Sequence, residues 1–260
     1  MDYQDAARQL KEALRLRTEP LGVAFLPDAA QLPEKTRQPS KVFGKQVTIC
    51  QGVTMARVYG WAVGLAPEDL TCVPALLAFG MAPEPDPAAE LAQIFCEVGF
   101  HQEVGPALKE AYGLPRFGPG EIGAIYLCPL EKVALKPAVV AVYCNPAQAM
   151  RLIQGAVFTL GERVGGDFGG KVECSSYLIG PLRTGQVRVV IPGAGDRIFS
   201  MTQDDELVVS FPEAALGPIL KGLAEAGRKI GARYPITFYQ NFTPQFPPAY
   251  QERLKKWGMK

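Results

Sequence analysis

The chain has 260 residues, 48 % of them apolar and 20 % charged, with 27 basic against 26 acidic side chains. Length and composition predict a single domain, residues 1–260, with a sizeable core. A formal net charge of +1 with no basic stripe argues against nucleic acid as a partner. The absence of any run of about 18 apolar residues argues against a membrane partner.

The start, Met1-Asp2-Tyr3-Gln4-Asp5, lacks the basic opening and apolar run of an export signal. The six cysteines form no C-x-x-C pair, which excludes a zinc ribbon or a ferredoxin run. The expectation is a cytoplasmic chain with free thiols. A single histidine, His101, removes every site that needs several imidazoles from one chain. It reads as a helix-end residue. The one basic cluster, Arg253, Lys255, Lys256 and Lys260, reads as the solvated side of a terminal helix.

In chain order, helix-period spacing over 2–17 predicts a helix ended near Pro20, and the apolar run 21–26 predicts a buried strand. Residues 28–45 read as a loop, 47–59 as a helix, and 71–82 as a further apolar turn. Pro83 to Pro87 reads as a stiff connector. Helices are predicted over 88–98 and 103–112, and a strand over 122–128. Residues 138–144, dense in β-branched side chains, are the strongest strand signal. A helix follows over 147–162 behind Pro146. A glycine-rich connection, Gly165-Gly166-Asp167-Phe168-Gly169-Gly170, reads as a flexible loop or a lid over the Cys174 region. Strands are predicted over Val187–Ile191 and Leu207–Phe211, then a long helix over 213–232. The aromatic, proline-rich tail from 233 to 260 is expected to wrap over the body.

Three matches recur in the same order. Gly22 to Gln31 resembles Val140 to Gln148, Cys50 to Val53 resembles Ile153 to Ala156, and Ile125 to Glu131 resembles Val208 to Glu213. They suggest a duplicated framework. The expected fold is α+β (α/β mixed): strand–helix halves over 18–130 and 137–232 around a mixed sheet. In that frame Cys72 and Cys174 are equivalent, and Cys50 corresponds to Ile153.

Several blocks also carry a family resemblance. The first holds Cys50-Gln51, Ala56-Arg57, Glu68 to Cys72, Leu77 and Gly80. The second holds Pro129 to Glu131, Pro137, Val139-Val140, Asn145-Pro146, Gln148 to Leu152 and Gln154-Gly155. Glu173-Cys174, then Pro192-Gly193 with Gly195-Asp196-Arg197, close the series. In this order they resemble the domain-of-unknown-function family numbered 169 over nearly the whole chain. The resemblance implies a cytoplasmic protein and brings no activity with it.

Cys50, Cys72 and Cys174 fall inside these blocks; Cys96, Cys128 and Cys144 do not. Three gathered thiolates could ligate an iron–sulfur cluster or a soft metal ion, giving a redox-type protein, with Arg57 lowering the thiol pKa values. The plain alternative is three buried small hydrophobes. Gly193, Gly195 and Arg197 follow a strand and could cradle a small anionic ligand. The alternative there is a tight turn with Asp196 and Arg197 as a structural pair; for the protein as a whole, a third reading is a scaffold subunit that works only in a homo-oligomer. Glu68 and Asp69 read more simply as capping groups. No motif names a reaction.

Overall fold

The computed structural model describes residues 1–236, 240 and 246–259. The first helix, α1 (Tyr3–Leu14), is capped by Asp2, whose carboxylate accepts from the Gln4 and Asp5 amides. It buries Ala6, Ala7, Leu10 and Leu14, and each fully buried leucine contributes roughly 1.5–3 kcal/mol. Strand β1 (Leu21–Leu26) follows as expected. The segment read as loop contains a short helix, α2 (Pro39–Phe43). Helix α3 (Ile49–Arg57) opens on a capping box: Thr48 accepts from the Gln51 amide, and Gln51 accepts from the Thr48 amide.

Strand β2 (Val63–Leu65) comes next, then α4 (Val73–Ala78), α5 (Pro87–Glu97), α6 (Val104–Gly113) and β3 (Ala124–Pro129). Strand β4 (Val139–Cys144) leads into α7 (Pro146–Leu160), which repeats the capping box with Asn145 and Gln148. Two short helices, α8 (Glu173–Leu178) and α9 (Gly180–Thr184), precede β5 (Arg188–Val190). Helix α10 (Ala194–Phe199), β6 (Leu207–Pro212), α11 (Leu216–Glu225) and α12 (Pro248–Lys256) complete the chain. The helix expected over 213–232 stops at Glu225, because Ala226 is extended and Gly227 is left-handed (φ 67°).

The class is α+β. One sheet runs in the order β2-β3-β1-β4-β6-β5. Every pairing between these strands is antiparallel, so the sheet expected to be mixed is not; parallel pairing occurs only as isolated bridges. The order is palindromic when β1, β2 and β3 are matched with β4, β5 and β6, and β1 meets β4 at the centre with Gly22 opposite Val140.

Strand alternation divides the protein into two faces. Val139, Ala141 and Tyr143 point to the face covered by α3, α4 and α8. Val140, Val142 and Cys144 point to the face covered by α1, α7 and α11. Helices α3 and α7 therefore lie on opposite faces, and the correspondence of Cys50 with Ile153 is not a spatial equivalence. Helices α5 and α6 form a satellite core around Phe95.

Of the tail expected to wrap over the body, residues 237–239, 241–245 and 260 lie outside the described residues. Helix α12 buries no side chain.

Candidate functional site

The face under α3, α4 and α8 holds the cysteines singled out by sequence. Each opens a helix: Cys50 is the second residue of α3, Cys72 is the N-cap of α4, and Cys174 is the second residue of α8. The thiols of Cys50 and Cys174 are within hydrogen-bonding reach of each other. Cys72 lies close enough for its charge to act on Cys174 and for that of Cys50 to act on Cys72. Cys128 and Cys144 pack on the opposite face, and Cys96 belongs to the satellite core. As they stand, no three or more His, Cys, Asp or Glu side chains among the described residues are grouped so as to hold a metal ion.

The Gly-Asp-Arg segment joins this site through its aspartate. Gly193 is the N-cap of α10, and the Asp196 carboxylate accepts from the Gly193 amide at 3.1 Å. A Cβ at Gly193 would lie 2.9 Å from both the Glu173 Cγ and the Gly170 carbonyl oxygen, so the close approach of these segments requires glycine here. A Cβ on Gly195 would lie 3.5 Å from the Cys50 Sγ, which places the first turn of α10 against the thiol.

Asp196 is 1 % exposed. It accepts hydrogen bonds from Tyr177 at 3.0 Å and Tyr143 at 3.2 Å and also contacts the Cys50 thiol. Burial raises its carboxyl pKa, and the tyrosines and the Gly193 amide only partly oppose this. Arg197 points elsewhere: its guanidinium donates to the Gln203 carbonyl at 2.7 Å and lies 4.0 Å from Asp204.

Glu173, beside Cys174, is also buried. Its Oε1 accepts from the Gly169 and Gly170 amides at 2.6 and 2.7 Å, while its Oε2 is buried without a partner. Burial again raises its carboxyl pKa, with the Asp196 charge adding to the effect. The Cys174 thiol is raised well above its ordinary value, first by its hydrogen bond with Cys50, then by burial and by the charges of Cys50, Cys72 and Asp196. The Asp196 charge thus hinders ionisation of both Glu173 and Cys174.

Arg57, expected to offset that effect, is committed to Glu206 through two hydrogen bonds of 2.8 and 3.1 Å. Its guanidinium stacks 4.0 Å from the Tyr143 ring centroid. It braces the tyrosine that holds Asp196, and its charge is balanced by Glu206.

The glycine-rich connection is tied down at its far end. Lys171 donates to Glu110 at 2.5 and 2.7 Å, His101 shares that carboxylate at 2.5 Å, and the Lys171 ammonium lies 4.5 Å from the Phe95 ring centroid. Asp69 is buried and accepts from the Ser40 and Ala66 amides at 3.0 Å, a capping role as expected.

Tyr143, Tyr177, Asp196 and Glu173 belong to the site without being among the residues that the sequence marks as ligands. Asp196 three residues after Gly193 is a helix-start pattern that could have pointed inward. The tyrosines carry no local signal.

No helix among the described residues is long and apolar enough to cross a membrane. The chain is 21 % identical, over 85 % of its length and 94 % of the relative's, to an uncharacterised protein of Methanocaldococcus jannaschii. No solved structure matches it. The model of the family DUF169, described as uncharacterised ArCR, matches residues 9–222, and the chain belongs to that family.

Proposed function

We propose that this protein is a redox-type, soft-metal-binding protein in which Cys50 and Cys174 supply the first two thiolates and Cys72 the third. The observation that carries this reading is the approach of two thiols distant in sequence to hydrogen-bonding reach, with a third near enough for its charge to act on one of them. Charge balance supports it. The charges of Cys50, Cys72 and Asp196 act on Cys174, and that of Asp196 on Glu173, while the Arg57 guanidinium is neutralised by Glu206. A soft cation would compensate such a pocket, displacing the thiol protons as it binds. Cys72 would complete the set by closing on the metal. An iron–sulfur cluster fits less well, because a thiolate-ligated cluster is itself an anion.

The test is anaerobic purification from metal-replete cells, followed by metal analysis and an absorption spectrum. The reading predicts one bound soft metal, lost in Cys174→Ser and kept in Cys128→Ser, whose sulfur lies on the other face. A broad band near ~400 nm with stoichiometric iron would place a cluster there instead. A metal-free protein that takes up no metal under reducing conditions would overturn both forms.

A second reading rests on the contact involving only two of the sulfurs. Cys50 and Cys174 would form a disulfide, losing two protons and passing two electrons to a small-molecule disulfide, which leaves as two thiols. A metal-free protein carrying a Cys50–Cys174 bond would favour it.

A further inference from the structure

On the opposite face of the sheet, where α7 packs against α11, a cavity of about 410 Å³ is lined by Glu12, Arg151, Leu223, Arg228, Arg233 and Tyr234, among others. Three arginines and one glutamate are among the lining residues. Arg151 is only 6 % exposed. Among the described residues its hydrogen bonds go to neutral acceptors: the Leu223 carbonyl at 3.0 Å, the Ala226 carbonyl at 2.9 Å and the Gln154 amide oxygen at 2.5 Å. Leu223 is in the last turn of α11 and Ala226 is its C-cap, so the helix end accounts for where Arg151 sits. It does not account for Arg228 and Arg233.

Arg228 opens a tight turn between two left-handed glycines, Gly227 (φ 67°) and Gly231 (φ 70°), and this turn brings Arg228 and Arg233 back over the end of α11. Neither makes an ion pair among the described residues. The one acid, Glu12, lies 3.4 Å from Arg8, outside the arginine trio. Tyr234 is held at the wall by Asn145, which donates to its hydroxyl at 3.0 Å. Burial lowers the Arg151 pKa, and no carboxylate among the described residues pairs with it.

We propose that this cavity is a binding site for a small molecule carrying two or more anionic groups, held by the guanidiniums of Arg151, Arg228 and Arg233. Guanidinium forks donate in pairs to phosphate or carboxylate oxygens, and a cavity of this size holds a small polyanion. The site lies across the sheet from the thiols and does not depend on them.

Calorimetric titration of the full chain at low ionic strength tests it, using inorganic pyrophosphate and citrate as probes. The expectation is saturable binding of one probe molecule per chain. The variant Arg228→Ser/Arg233→Ser alters two exposed side chains and should keep its melting temperature. It should bind more weakly by about tenfold per guanidinium removed. Preference for pyrophosphate would assign a phosphate-bearing ligand, and preference for citrate a polycarboxylate. Failure of both probes to bind saturably at millimolar concentration would overturn the proposal. Undiminished affinity in the double variant would overturn it equally.

Discussion

Replacing Arg57 by methionine tests how the thiol pocket is braced. Arg57 and Glu206 are 1 % and 3 % exposed on their side chains and are joined by two hydrogen bonds. Removing one partner of a buried pair leaves the other charged and desolvated, at a cost of about 3–5 kcal/mol. Among the described residues, the Gln203 amide, 2.8 Å from Glu206, is then the one donor left to that carboxylate. The lost stacking on Tyr143 adds to the cost. With a urea dependence of about 3 kcal/mol per molar, the unfolding midpoint should fall by about 1 M or more. Arg57→Met/Glu206→Leu removes both charges and should recover most of the loss, since apolar replacement of a buried pair is often neutral. Urea denaturation followed by far-ultraviolet circular dichroism measures all three proteins. A single variant within about 0.3 M of the parent, or a double variant no better than the single, would refute this account of the pair.

Three other outcomes are expected. Gly222→Ala would put a Cβ 1.9 Å from the Gly155 carbonyl oxygen and force α7 and α11 apart; calorimetry should show a loss of about 1–3 kcal/mol, whereas Gly105→Ala, which meets nothing within 4 Å, should cost nothing. Burial pushes the Glu110 carboxyl up, but Lys171 and His101 together hold it below its ordinary value, so its stabilisation is present above the usual carboxylate range and lost as pH falls through the lowered value. Glu110→Gln should accordingly speed amide exchange over 165–171 at neutral pH, and parental rates there would refute the tie. Burial pushes the Cys144 thiol up to about 12, so it should resist alkylation at pH 8.5 until the chain unfolds; its contribution to stability is present below the ordinary thiol value and lost as pH rises towards about 12. Modification of Cys144 as fast as Cys96 in the folded protein would contradict that burial.

Long apolar runs were legible in the sequence because their pattern is local. Leu21–Leu26 and Val139–Cys144 are strands where β-branched and aromatic residues announce them. Strand β2 was not, since three residues with Gly64 at the centre carry no period, and they exist as a strand through pairing with β3. Helix α8 was missed for the opposite reason: all six of its residues are buried, so no polar face marks it. Pro192-Gly193 reads as a turn, yet Gly193 caps α10, and this difference carries Asp196 from a surface pair with Arg197 into the pocket. The approach of Cys174 to Cys50 could be anticipated from the blocks they share. Arg57 could not, because Glu206, which takes up its charge, comes from a distant segment.

The central claim is that Cys50, Cys72 and Cys174 act together on a soft cation. Differential alkylation tests it most directly: anaerobically reduced protein is treated with a thiol reagent in the presence and absence of one equivalent of cadmium(II), and each cysteine is read by peptide mass spectrometry. The account predicts that cadmium protects Cys50, Cys72 and Cys174 together and leaves Cys96 as reactive as before. Protection of none of the three, or of Cys96 equally with them, would contradict it.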